Sequence, residues 1–145
     1  MKKQTALAVI GQSEKATLYS ISFEKDGTTE FEKFVRTFEK IAAFNPDYQR
    51  IMAAIQTILS VGALEHFFRP EGRMNDSVFA IQIDGWKLRL YCLRLSEQIG
   101  VLGNGGMKDG RTHDDHSRMS AFVIDLQRFE KDFKDRFMIH LSQFG

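Results

Sequence analysis

The sequence has little cysteine and proline, and it lacks any long apolar run. The single cysteine, Cys92, among 145 residues cannot form an internal disulfide. This favours a reducing compartment, so we expect a cytoplasmic protein. Charged residues interrupt every apolar run, whereas a membrane-spanning helix needs about 20 apolar residues in succession. The apolar run at 6–10 is too short for the core of a signal peptide, so we expect neither a membrane span nor export.

The sequence also has almost no net charge. Its 20 Lys and Arg residues nearly balance 19 Asp and Glu residues, which gives a formal charge of +1. Any attraction to nucleic acid must therefore come from local clusters of cations, because the field of the whole molecule is close to neutral. Hydrophobic residues form 43% of the chain and include 13 Phe, enough to fill one core. These totals predict a single domain over residues 1–145.

Alternation and helical spacing predict the elements of the first half. Residues 17–23 alternate between two faces, which is typical of a half-buried strand. Thr29 begins a capping box, and the apolar stripe over 31–41 predicts a first helix. A second helix is predicted from residue 45 to at least residue 60, because it opens with Asn-Pro and carries its own apolar stripe. Residues 1–16 are predicted to be either a loose arm or an extra strand.

The second half predicts three strands in succession. An Asp-Gly pair, which is a strong hairpin signal, joins residues 78–83 to residues 86–95, and 99–102 follows after a short turn. We expect these strands to form an antiparallel meander, with the strand at 17–23 added at its edge. The glycine-rich stretch 103–106 is expected to break the third strand in a turn that needs positive φ.

Apolar residues at helical spacing over 119–137 predict a final helix. Its opposite face carries Glu130 and Lys134 four residues apart, an ion pair expected on a solvated surface. A surplus of apolar residues at 138–144 offers a docking surface for a partner protein or for a second copy in a homodimer. The predicted fold class is α+β in the order β-α-α-β-β-β-α, with a small antiparallel sheet packed against a helical hairpin and a C-terminal helix.

The predicted strand 86–95 alternates apolar residues with basic and aromatic ones. Lys87, Arg89 and Tyr91 lie two positions apart, so their side chains point to the same face of the sheet. The residues between them are apolar and point to the opposite face. This alternation predicts one core face and one open, cationic face.

The element order over residues 17–137 resembles the RelE/HigB-like superfamily, the toxins of type II toxin-antitoxin pairs. The segment 86–93 resembles the central strand of that family, which carries alternating basic residues. The segment 99–108 resembles the next strand, which ends in glycine and a basic residue. The resemblance implies an endoribonuclease that cleaves mRNA or ribosome-bound mRNA, needs no cofactor and is inhibited by a cognate antitoxin protein.

Cleavage of RNA without a metal needs a general base, cations that stabilise the phosphate, and an acid for the leaving oxygen. Lys87 and Arg89 are assigned to phosphate contact and charge stabilisation. His113 or Lys108 is assigned to proton transfer, and Tyr91 to base stacking or to protonation of the leaving group. Three further arginines are candidates for gripping the RNA backbone: Arg73, Arg94 and Arg111.

Two alternatives stay open beside the ribonuclease. The basic residues could simply keep an exposed sheet face soluble, or the chain could be a noncatalytic protein-interaction or regulatory module with the same fold. The near-neutral charge favours the second alternative, as does the lone Lys108 where HigB-like proteins often have two lysines. Residues 113–116 offer imidazole and carboxylate groups, but no second ligand motif accompanies them, so we expect no metal.

Overall fold

A computed structural model of the chain describes residues 5–70, 77–85, 87–107 and 119–133. The strands are β1 Ala6–Gln12, β2 Thr17–Ser22, β3 Phe68–Pro70, β4 Val78–Ile81, β5 Leu88–Arg94 and β6 Ile99–Met107. The helices are α1 Glu30–Phe38, α2 Asn45–Val61 and a helix over 119–133, here α3. Short 3₁₀ turns at Ala42–Phe44 and Glu65–Phe67 flank α2.

The six strands form one sheet in the order β1-β2-β6-β5-β4-β3. Pairing is antiparallel throughout, except that β2 runs parallel to β6. The α+β class is confirmed, with a mostly antiparallel sheet packed between two helices and a C-terminal helix. The strand at 17–23 is added at the edge of the meander as predicted, since β2 pairs with β6. Of the two alternatives for residues 1–16, the structure has the extra strand, which pairs with β2 over residues 6–12.

Helix α1 begins where its capping box predicted. The Thr29 side chain accepts a hydrogen bond from the Glu32 backbone N–H at 3.1 Å, which satisfies one of the free donors of the first turn. The apolar stripe of α1 is buried against the sheet together with that of α2, and Phe34 is fully buried at its centre. Burial of one such side chain stabilises the fold by about 1.5–3 kcal/mol. Both predicted helices therefore cover the same face of the sheet.

Helix α3 covers the opposite face. Leu126 is buried against Ile21, Leu93 and Val101, and the rest of the predicted stripe packs around this cluster. The expectation of a solvated Glu130 is wrong, because this side chain is 5% exposed and accepts a hydrogen bond from a backbone N–H on the strand side. Its predicted partner, Lys134, lies outside the described residues, as do residues 138–144.

The glycines of β6 continue the strand instead of breaking it. β6 runs to Met107, and within the described residues positive φ occurs only at Gly27 and Gly62. A Cβ at Gly105 would lie 1.9 Å from the Arg89 carbonyl oxygen, so the glycine is required by the close approach of β5. The expected turn is therefore wrong, since the missing side chains serve packing rather than backbone conformation.

A buried hydroxyl links three elements at the centre of the fold. Ser20 on β2 is fully buried and donates from Oγ to the Leu102 carbonyl of β6 at 2.6 Å. The same oxygen accepts from the Phe31 backbone N–H at the start of α1 at 3.1 Å. Buried polar groups need such partners to offset the loss of water. Ser20 therefore fixes the position of α1 over the parallel pair of strands.

A search of the described residues for membrane-spanning segments found no helix with the length and apolar character that crossing a bilayer requires.

Candidate functional site

Lys87 lies at the start of β5 and its side chain is exposed. Its backbone N–H donates to Asp47 Oδ2 at 2.5 Å, and the Leu88 N–H donates to the same oxygen at 3.0 Å. Asp47 is 4% exposed and belongs to the first turn of α2. This carboxylate therefore fixes the start of β5 against α2 and sets where Lys87 emerges.

The prediction that Lys87, Arg89 and Tyr91 share a solvent-exposed face of the sheet is wrong. Tyr91 is 4% exposed and packs in the cluster under α3. Arg89 is partly buried, with its guanidinium carbon 6.0 Å from the centre of the Tyr91 ring. Because α3 covers this face, Tyr91 has no access to an RNA base for stacking.

Arg94 lies at the opposite end of β5 and has a structural contact. Its Nε donates to the Ala63 carbonyl at 2.7 Å, which ties β5 to the segment that follows α2. Seven residues separate it from Lys87, and at about 3.3 Å per residue this is roughly 23 Å along the strand. Arg94 and Lys87 therefore cannot contact the same phosphate.

The remaining predicted site residues lie outside the described residues: Arg73, Lys108, Arg111 and His113. The ladder between β5 and β6 ends with the pair Leu88 and Met107. Lys87 therefore lies at the end of the sheet where the chain leaves β6. The Lys87 ammonium donates to the Ala43 carbonyl at 3.5 Å, in the turn before α2, whereas Arg89 lies beside Tyr91 on the face that α3 covers. The two side chains are therefore directed to different helices.

A groove of ≈ 680 Å³ opens between α1 and the second half of β6. Its apolar lining comes from the end of α1, the 3₁₀ turn after it, and the residues on both sides of segment 108–118: Phe38, Ile41, Phe44, Met107, Met119 and Phe122. Ile41 is 39% exposed, which is high for a large apolar residue beside a core. A contiguous apolar surface of this kind is typical of a binding site.

The strand pattern explains why this groove is open. β2 pairs with β6 only from Ile99 to Leu102. Among the described strands, none lies beside the stretch from Gly103 to Met107 on the side of β2. The Asn104 side chain folds back along this stretch, and its Oδ1 accepts the Gly105 N–H at 2.8 Å. One wall of the groove is therefore the backbone edge of a strand.

The rim of the groove carries charges of both signs that are already paired. Lys33 Nζ lies 2.6 Å from Glu24 Oε1 and 2.9 Å from Glu30 Oε2. Partial burial lowers the pKa of Lys33, but the hydrogen bonds to these two carboxylates more than offset it, so the pKa is raised overall. Arg36 lies 3.4 Å from Glu32. A phosphate at this rim would have to compete with carboxylates for each cation.

Sequence reasoning missed the groove, although one signal for it was visible. The apolar stripe of the first helix was predicted to reach residue 41, whereas α1 ends at Phe38. Ile41 therefore continues the stripe beyond the helix and remains exposed. The same reasoning missed Asp47, because a carboxylate in the first turn of a helix is common and gives no sign of a contact with a distant strand.

Other site chemistries find little support in the described residues. No group of three His, Cys, Asp or Glu side chains is positioned for a metal among them, and His113 and His116 lie outside. Cys92 is fully buried, and burial raises the pKa of its thiol far above the usual range. The thiol is therefore a core group rather than a nucleophile.

Comparisons of the chain with protein-family models, with curated proteins and with solved structures found no match.

Proposed function

We propose that this chain is a noncatalytic protein-interaction module with a RelE/HigB-like order of elements, and that it acts in the cytoplasm. The groove between α1 and β6 carries the proposal. Its volume of ≈ 680 Å³ falls within the usual range for binding clefts, about 300–1,000 Å³. An apolar centre surrounded by a polar rim is the composition of protein interfaces.

The shape of the groove favours an extended segment of a partner protein. Asn104, Gly105 and Gly106 line one wall of the groove. Both glycines are buried and the Gly105 N–H is already bonded to Asn104 Oδ1, so a partner segment would dock through side-chain contacts. Ile41 and Met107 offer apolar contacts along the way, and methionine adapts its shape to different side chains. Because the chain resembles the toxins of toxin-antitoxin pairs, the proposed partner is a small protein of the antitoxin type.

The charges around the groove favour a protein over a nucleic acid. Lys33 is held by Glu24 and Glu30, and the net charge of the chain is +1. Nucleic-acid sites instead concentrate unopposed cations, since affinity comes largely from release of the counterions of the phosphates. A partner with charges of both signs can pair with this rim.

An endoribonuclease that acts on mRNA or ribosome-bound mRNA is the second candidate. The observation that favours it is the exposed Lys87 at the end of the sheet, next to Met107. The chain then continues into residues 108–118, which contain Lys108, Arg111 and His113. In this function, Lys87 and Arg89 would contact phosphate, and an antitoxin would inhibit cleavage.

Binding to the protein encoded beside this gene tests the first proposal. Titration calorimetry should show binding that Ile41→Glu weakens by about tenfold or more, because the new carboxylate has to be desolvated in the groove. Val61→Glu is the matched control, since Val61 is 48% exposed at the end of α2 and does not line the groove. Equal binding by the two variants, or no binding by the native chain, would overturn the proposed partner and its site.

Induced expression separates the two candidates. The noncatalytic module predicts normal growth and intact transcripts. Growth arrest with transcript cleavage that Lys87→Ala/Arg89→Ala abolishes would establish the ribonuclease instead. Lys131→Ala is the control, because Lys131 lies far from the end of the sheet that carries Lys87. Helix α3 runs back along β6, with Met119 near Gly106 and Leu126 near Gly103, and Lys131 follows Leu126. Circular dichroism of each variant checks that it is folded.

A further inference from the structure

The outer edge of β1 is unusually open. β1 is the last strand on its side of the sheet, and no described strand pairs with its outer side. Its seven residues, Ala6–Gln12, contain neither a charge nor a proline. Natural edge strands are normally protected from pairing by lysine, proline or short length. β1 has none of these three protections, and its only irregularity is the bulge between Val9 and Gly11 at one end of the strand.

Two apolar side chains on β1 are exposed beside this edge. Leu7 is 40% exposed and Val9 is 55% exposed. Their partners on β2 are Ile21 and Tyr19, which both belong to the face that α3 covers. Because paired residues of antiparallel strands point to the same face, Leu7 and Val9 form one apolar strip on that face of β1.

We propose that β1 pairs antiparallel with β1 of a second copy of this chain, so that two sheets join across a two-fold axis. This surface is separate from the groove, and the inference goes beyond the proposed function. The absence of charge on β1 is compatible with a second copy of the same strand as its partner. A neutral strand that pairs with its own copy places no like charges opposite each other, and the same patch serves on both copies, as a two-fold interface requires.

The alternation of side chains limits the register of such a pair. A two-fold axis perpendicular to the sheet keeps each face on its own side, so a residue can only pair with one that points to the same face. A pair centred on Ala8 places Leu7 opposite Val9 twice, which covers all four exposed side chains. A pair centred on Leu7 would instead place Val9 opposite Thr5. The bulge between Val9 and Gly11 ends the regular stretch, so the Ala8 register uses the straight part of the strand.

Sedimentation velocity at increasing protein concentration tests the association. The native chain should form a dimer, and Val9→Lys should weaken its association by about tenfold or more, because lysine blocks edge pairing. Val61→Lys is the matched control, since Val61 has a similar exposure of 48% on α2. A native chain that stays monomeric at every concentration would overturn the proposal, as would equal loss of association in both variants.

Cysteine cross-linking tests the register and remains informative if Val9→Lys fails to fold. Ala8→Cys should form a disulfide-linked dimer under mild oxidation, because opposed residues of antiparallel strands lie about 4.5–5.5 Å apart between Cα atoms. Val61→Cys should not, and the native Cys92 is fully buried. Faster cross-linking of Leu7→Cys than of Ala8→Cys would overturn the register, and capture of a strand from another protein in place of the second copy would overturn the occupant.

Discussion

The two edges of the sheet differ in nearly every property that controls strand pairing. β1 has seven residues, no charge and exposed side chains on both faces. β3 has three residues, ends in Pro70, and buries Phe68 in the core at 7% exposure. Both are outermost strands of the same sheet. The contrast shows that this fold protects one edge and leaves the other available.

The protected edge is also the side where α2 is fastened to the sheet. Asp47 accepts the backbone N–H groups of Lys87 and Leu88, and Arg94 donates to Ala63 just after the helix. On the other side, β1 is held by its ladder to β2 and by α2, because Leu59 lies against Gly11 and its carbonyl accepts a hydrogen bond from Ser13 Oγ. We therefore expect the stability of the domain to depend on the β3 side, and its association to depend on β1.

The largest expected effect is at the protected edge. Phe68→Ala should lower the free energy of unfolding by about 3–5 kcal/mol, the range for truncation of a buried aromatic residue. Phe68 also lies edge-on to Phe79, with ring centres 5.9 Å apart. Urea unfolding followed by circular dichroism measures the loss, and Phe68→Leu should lose less. A loss below about 1 kcal/mol, as small as that at an ordinary surface site, would remove the difference between the edges.

Asp47→Ala should have the next largest effect. The substitution leaves two backbone N–H groups at the start of β5 without their acceptor, which destabilises by about 2–3 kcal/mol. Asp47→Asn keeps one side-chain oxygen and should lose less. The same unfolding measurement compares the two variants. If alanine and asparagine were both neutral, the contact of Asp47 with β5 would not stabilise this side of the sheet.

The smallest effect is expected at the open edge. Val9→Thr should change the free energy of unfolding by no more than about 0.5 kcal/mol, because the site is a surface position. The same substitution at Val78, which is 1% exposed on β4, should destabilise by about 1–3 kcal/mol through burial of a hydroxyl. Both are measured at low protein concentration, so that self-association does not contribute. Similar losses at the two positions would contradict the comparison.

Local patterns predicted the elements that local chemistry controls. The capping box at Thr29 and the proline near the start of α2 act within one or two turns of the chain, and the structure has both helices there. The predicted cap by Asn45 is wrong, because α2 begins at Asn45 itself and has no side-chain cap. The extra strand β1 was left open as an alternative, because its seven residues show weak alternation. β3 was missed, since three residues ending in proline resemble a loop.

Patterns within one strand could not predict what covers its two faces. The alternation in β5 correctly separated Leu88 and Leu90 from Arg89 and Tyr91. It could not reveal that α3 lies over the second group, because that contact joins distant parts of the sequence. The glycines of β6 misled for the same reason: Gly105 has no room for a side chain beside the Arg89 carbonyl, which lies sixteen residues earlier in the chain.

The candidate site was predictable only in part. The position of Lys87 beside the end of β6 followed from the antiparallel order of β5 and β6. The groove did not follow, because it depends on the pairing of β2 with β6 ending at Ser20 and Leu102 while β6 continues to Met107. The end of pairing between two strands that are far apart in sequence leaves no local signal.

The buried hydroxyl of Ser20 has a consequence for the synthesis of the protein. Its acceptor, the Leu102 carbonyl, is 82 residues further along the chain. At ribosomal rates of about 5–20 residues per second, roughly 4 to 16 s pass between the emergence of the two groups. During that time Leu18 and Ile21, which are both buried in the finished fold, have no β6 to pack beside. The nascent N-terminal half therefore exposes these apolar side chains until β6 has been synthesised.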